Sequence, residues 1–309
     1  MMRLGCDTAR AAPSTSCACC VSRARRALGR RLLGSGPRQP DPSGAIGRRL
    51  NIAPPHLLPV LAAFDAERRS PPSSGVECEL LPAVTRIHGL AGGWHQIAFS
   101  ALSDADADSV IAEQAAYYRT RGISVEWSAY AHDTPRDLLA RLARHGFDIG
   151  PREAVVVLDC RERPPWLGAA CAQRVERVRT GAELRAFGDA AERIFQSDQT
   201  PVIRDLEARL AEPSPEHVAY LVYDGNQVAG VARLQLHRGS QFATLYGGGT
   251  LEAHRGRGLY RAAVQRRALD AVALGARYLR VDALPTSQPI LEQLGFEVMT
   301  YVWPCALLE

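Results

Sequence analysis

The segment Thr250–Arg261, read as TLEAHRGRGLYR, most constrains what this chain can fold into. A strand-like run ends at Leu251, Arg255-Gly256-Arg257-Gly258 follows, and a helical pattern begins at once. A helix N-terminus leaves backbone N–H groups unpaired and carries partial positive charge. Glycines at 256 and 258 let that backbone approach an anion with no Cβ in the way. Strand, glycine turn and helix together make a cradle for a pyrophosphate. The dinucleotide fingerprint is excluded, because Arg261 stands where its third, small residue is needed.

A Walker A loop is excluded by composition. All 37 basic residues are arginine, and the 309-residue chain has no lysine. The same absence removes a pyridoxal Schiff base and any lysine nucleophile. No apolar run reaches the roughly 18 residues of a membrane-spanning helix, and a cytoplasmic protein is expected.

Charge is unevenly placed. Residues 1–50 carry ten arginines against Asp7 and Asp41, and no aromatic residue precedes Phe64. This tail cannot bury enough apolar surface to offset its ordering entropy, so disorder is expected. An upstream start site, a targeting peptide and a nucleic-acid arm all fit its composition. The arm fits least, because no aromatic interleaves the arginines. Four of the eight cysteines lie here (Cys6, Cys17, Cys19 and Cys20), and Cys78, Cys160, Cys171 and Cys305 are scattered. Neither a disulfide framework nor a metal site is expected, since Cys-Ala-Cys-Cys lacks a second pair nearby.

The folded body is expected from residue 51. Helical patterns cover Leu57–Arg69, Asp104–Arg121 and Arg136–His145, the last capped by Asp133 and ended by Gly146. Ile123–Tyr130 and Ala154–Leu158 read as strands, and Pro164-Pro165 marks a linker over 161–171. Beyond it, Arg174–Val178 is a strand, and Thr180 with Glu183 forms a capping box for a helix through Phe195. A helix over Val202–Ala211 follows. Strands Val218–Tyr223 and Gln227–Leu236 are joined by Asp224-Gly225-Asn226, and Phe242–Leu251 contains a Gly247-Gly248-Gly249 run. In the helix Gly258–Leu274, the residues Leu259, Ala262, Ala263, Leu269, Val272, Ala273 and Ala276 are expected to share the buried face. Tyr278–Ala283, Thr286–Leu294 and Phe296–Trp303 complete a strand, helix, strand ending. A mixed α/β sheet flanked by helices is the economical packing.

The loop Arg255-Gly256-Arg257-Gly258-Leu259-Tyr260, the order of elements over 172–309 and Leu294-Gly295-Phe296 together resemble the GNAT superfamily of acyl-CoA N-acyltransferases. The loop fits the family's Arg/Gln-x-x-Gly-x-Gly/Ala pattern except at Tyr260. The resemblance implies a GNAT-like fold, acetyl-CoA as the acyl-donor cosubstrate, and an amine acceptor on a small molecule or a protein. It implies that the amides of Gly256, Arg257, Gly258, Leu259, Tyr260 and Arg261 hold the pyrophosphate, with Arg255 also part of the donor site. It also implies that Gly248, Gly249 and Thr250 pair with the pantetheine arm; a plain bend in the sheet is the alternative reading of these glycines. Residues 255–280 carry seven arginines against Asp270, which suits a phosphate-rich donor. Arg257 and Arg261 are expected as phosphate partners, and Arg266, Arg267 and Arg277 as a solvated face.

The tyrosine that often protonates the leaving thiolate in the family is Leu291 here, and the usual asparagine is replaced within Leu284-Pro285-Thr286. Glu252, Asp282 and Tyr301 are the candidate catalytic residues, with His254 and Tyr246 beside them. Residues 51–160 echo the second half, with Gly146-Phe147 after a short helix, but lack the arginine-glycine cradle. They are expected to be a degenerate GNAT-like unit, or else an unrelated α/β extension. The functional expectation is an N-acetyltransferase, with a non-catalytic acyl-CoA-binding module as the alternative. The oligomeric state is left open.

Overall fold

The computed structural model describes residues 53–71, 77–88, 95–171, 173–211 and 216–308. The arginine-rich tail, with its expected disorder and its four cysteines, lies outside them.

The first half runs α1 (Leu58–Arg69), β1 (Glu77–Leu80), β2 (Val84–His88), β3 (His95–Ser100), α2 (Ala107–Arg119), β4 (Val125–Tyr130), α3 (Leu138–Arg144), β5 (Asp148–Ile149) and β6 (Glu153–Asp159). After the short α4 (Pro165–Gly168), the second half runs β7 (Val175–Arg177), α5 (Gly181–Phe195), α6 (Thr200–Ala211), β8 (His217–Asp224), β9 (Gln227–Leu236), β10 (Phe242–Thr250), α7 (Leu259–Ala273), β11 (Tyr278–Ala283), α8 (Gln288–Gln293) and β12 (Glu297–Leu307). One mixed sheet takes the order β1-β2-β3-β4-β12-β6-β11-β10-β9-β8-β7, with β5 paired to β12.

The order is nearly palindromic. Strands β1 to β4 pair antiparallel, antiparallel, then parallel, and β8 to β11 repeat the sequence. A helix follows the third strand in each set, α2 or α7. This is a tandem arrangement in which the halves trade strands at the centre. Strand β6 lies between β11 and β12, and the far end of β12 lies against β4. The sheet therefore runs unbroken across the segment 161–171, and that segment is itself packed. Trp166 rests on the core of the second half, and its Nε1 donates to the Leu294 carbonyl at 2.8 Å.

Alternation along the strands sends successive side chains to opposite faces. Val156 and Leu158 meet α7 and α8, whereas Val155 and Val157 meet Leu57, Val60, Leu61 and Phe64 at α1. Helices α5 and α6 cover Ala219, Leu221 and Val231. The Thr180–Glu183 capping box forms with both of its hydrogen bonds. Asp133 does not cap α3. It accepts the Tyr130 N–H at 2.9 Å and pairs with buried Arg68 at 3.2 Å.

Helix α7 differs most from its sequence pattern. Leu269 is 42% exposed and Val272 38%, and Ala273 is also exposed, whereas Arg267 is 1% exposed and Asp270 buried. The polar residues enter because partners await them. The Tyr220 hydroxyl donates to Asp270 at 2.6 Å, and Arg177 pairs with it at 2.9 Å. Burial alone pushes the Asp270 carboxyl up, but hydrogen bonds from Arg177 and Tyr220 hold it below its ordinary value.

Candidate active site: a cradle, a wedge and a cavity

Both cradle glycines adopt left-handed backbone, φ 77° at Gly256 and 80° at Gly258, which glycine adopts without a Cβ clash. Gly258 stands at the N-cap of α7 with no side-chain cap. A Cβ placed on either glycine would meet nothing within 4 Å, so the mouth is open. Leu259 is buried and anchors the helix start, while Tyr260 packs partly against the core.

The arginines at the rim already have partners. Arg257 Nη1 donates to Asp224 Oδ2 at 2.6 Å, and His254 Nδ1 lies 2.7 Å from the same oxygen. The His254 hydrogen bond and the Arg257 charge hold the Asp224 carboxyl below its ordinary range. Arg261 donates to Gln293 Oε1, and Arg255 Nε to the Thr250 carbonyl at 3.4 Å. Arg266 bonds Asp270, and Arg277 pairs with Asp159. Arg267 corrects the expectation of a solvated face. Its guanidinium is enclosed, bonding the carbonyls of Ala263 at 2.9 Å, Arg233 at 3.2 Å and Tyr246 at 3.5 Å. Burial lowers its pKa from the ordinary arginine value.

Ahead of the cradle, β10 and β11 pair only from Phe242–Thr244 to Tyr278–Arg280 and then part. The register of β10 against β9 shifts between Tyr246 and Gly249. A side chain at Gly248 would press on Arg267, and one at Gly249 would strike Ile194. The glycines thus serve the bulge. On the side facing β11, the backbone of 246–250 lies along an open wedge.

A cavity of about 220 Å³ lies on the α1 side of the sheet. Both halves line it: Arg68, Glu126 and Tyr130 from the first, Tyr246, Arg280 and Asp282 from the second. Asp282 Oδ2 accepts from Arg280 Nη2 at 3.0 Å, while its Oδ1 is buried with no hydrogen-bond partner among the described residues. Burial pushes the Tyr130 phenol up to about 12, so it stays neutral near pH 7.

Of the candidate residues, Asp282 and Tyr246 reach the cavity. Glu252 is exposed on a turn after β10. Tyr301 packs on the α7 side, beneath Arg152 at 4.5 Å. Leu291 is 0% exposed in the core. Glu126 and Arg68 were missed by sequence reading, because the packing of α1 on the sheet and the pairing of β4 with β12, not chain spacing, bring them to this wall.

The counterpart of the cradle in the first half has changed sign. Before α2 stand Asp104 and Asp106, and the N–H groups of Ser103 and Asp106 bond each other's side chains. Arg141 bridges Asp104, Asp108 and Asp137.

Fold and site define a tandem α/β protein of two strand-exchanged units, of which the second has an open glycine turn at the uncapped start of α7. Residues 185–296 match the model of the acetyltransferase (GNAT) family, and this segment is a GNAT-family domain. A GCN5-related N-acetyltransferase from Kribbella flavida is similar in fold, with TM-score 0.61 and 15% identity over 81% of this chain and 95% of that one. A GCN5-related N-acetyltransferase from Sphaerobacter thermophilus gives 0.53 and 14% over 87% and 94%. A tandem GNAT protein from the clavulanic acid biosynthesis pathway gives 0.51 and 12% over 72% and 78%. No curated protein sequence matches the chain. Among the described residues, no helix is long and apolar enough to cross a membrane.

Proposed function

We propose that this protein is an N-acetyltransferase that moves an acetyl group from acetyl-CoA to an amine bound in the cavity between its halves. The observation that carries this reading is that β10 and β11 part after Thr244 and Arg280, with Tyr246 and Asp282 beyond the split lining the cavity and the glycine turn following the end of β10. The amides of 256–261 and the N-terminal partial charge of α7 hold the donor's pyrophosphate. Gly248, Gly249 and Thr250 offer backbone to its pantetheine arm as an added strand would.

A lysine-like amine, with pKa ~10.4, is only about one part in two thousand neutral at pH 7. In this reading Asp282 takes its proton, directly or through water. The amine nitrogen then forms a bond to the thioester carbon, a backbone N–H near Thr250 steadies the oxyanion, and the C–S bond breaks. With Leu291 buried where the family often has tyrosine, the thiolate takes its proton from solvent.

Buried Leu291 also favours a second reading, a donor-binding module without turnover. An assay of thiol release from acetyl-CoA across a panel of small amines and amine-bearing peptides separates the two. Acetylated product from at least one amine supports the enzyme, and donor binding with no product from any supports the module.

A further inference from the structure

We propose that Glu216, His217 and His237 form a divalent-metal site, suited to Zn²⁺, where the β8–β9 hairpin meets the cavity. One ligand atom from each residue lies within 4.8 Å of the other two. His217 sits opposite Gln235 in the antiparallel register, and His237 follows the end of β9. Strand alternation puts the side chains of 217, 235 and 237 on one face, and Gln235 and His237 both line the cavity. The two imidazoles lie 5.5 Å apart between centroids, and His217 is only 8% exposed.

Outer contacts hold two of the three ligands. Glu216 Oε1 accepts the Arg238 backbone N–H at 3.1 Å. The Gln235 amide lies 2.7 Å from His237 Nε2. The contacting atom is the amide nitrogen, which donates to that ring nitrogen; metal binding at Nδ1 requires the amide to turn over so that its oxygen accepts a proton on Nε2. Such partners fix ring orientation and raise ligand basicity. Two nitrogens and one carboxylate oxygen suit Zn²⁺ and leave a fourth position for water or another ligand. This site is distinct from the cradle and from Asp282, and metal binding does not depend on acetyl transfer.

The tail cysteines could also take Zn²⁺, so the test removes them. The full chain carrying Cys6→Ser, Cys17→Ser, Cys19→Ser and Cys20→Ser is stripped with a chelator and titrated with Zn²⁺ and with Co²⁺. The site predicts one bound equivalent, with Co²⁺ visible bands of a four-coordinate ion and no sulfur charge-transfer band. Losing an outer partner costs roughly 10–100-fold in affinity, and His237→Ala or His217→Ala should cost at least that. Glu216→Gln, a milder change, should also weaken binding. Circular dichroism in chelator checks that each variant remains folded. No bound equivalent, a sulfur band, or equal binding in a folded His217→Ala/His237→Ala double variant would overturn the proposal.

Discussion

Asp282 lines the cavity with one carboxylate oxygen tied to Arg280 and the other buried without a hydrogen-bond partner among the described residues. Asn keeps the shape and removes the base. Asp282→Asn should lower kcat by about 10²–10⁴ and leave acetyl-CoA affinity within about twofold, read by steady-state kinetics and calorimetry. Unchanged kcat would remove Asp282 from the chemistry. Single residues were legible where backbone geometry demands one residue type. Gly256 and Gly258 stood out because left-handed turns at a helix start admit little else. Arg267 did not stand out, since an arginine in a helix reads as surface until the carbonyls of Arg233 and Tyr246 are seen above it.

Helix α7 couples the cradle at its start to the bulge of β10 through Arg267. Met can fill much of the same volume but cannot donate to those carbonyls. Arg267→Met should cost about 1–3 kcal/mol for acceptors left unsatisfied and raise the KM for acetyl-CoA, measured by urea unfolding and kinetics. One turn further along, Asp270 joins α7 to Arg177 on β7 and Tyr220 on β8. Its folded pKa lies below the unfolded value of about 3.9. It therefore adds stability above that pH, which is lost as the pH falls through the folded value. Asp270→Asn should lower the melting temperature at pH 7 and flatten its fall in acid; an equal acid slope in both proteins would contradict the linkage. The α7 amphipathic pattern misread this helix because Ala-rich positions give little contrast. Leu269 and Val272 then outweighed the buried polar pair.

Strand exchange joins the two halves in one sheet, and they are expected to fold as one unit. Six residue pairs join β6 to β11 and five join it to β12, so the second half without β6 would expose two unpaired edges. Residues 161–309 expressed alone should fail to fold, and co-expression with residues 51–160 should restore soluble protein with a single unfolding transition. A dispersed NMR spectrum from the fragment alone would contradict this. The repeat itself was legible from Gly146-Phe147 and Leu294-Gly295-Phe296, because each ends a short helix before a strand. The exchange was not, because both strands are apolar and β-prone, and nothing local says which neighbour they choose. The same exchange hid the cavity, whose walls come from both halves.

Calorimetric titration of acetyl-CoA into the full chain and its Gly258→Val variant tests the cradle most directly. Valine at φ 80° strains the helix start by about 1–3 kcal/mol, yet its Cβ meets only open space, so the body should stay folded. The expected result is one bound equivalent for the parent and at least tenfold weaker binding for a folded variant. Equal affinity in the two proteins, or no binding by the parent, would contradict it.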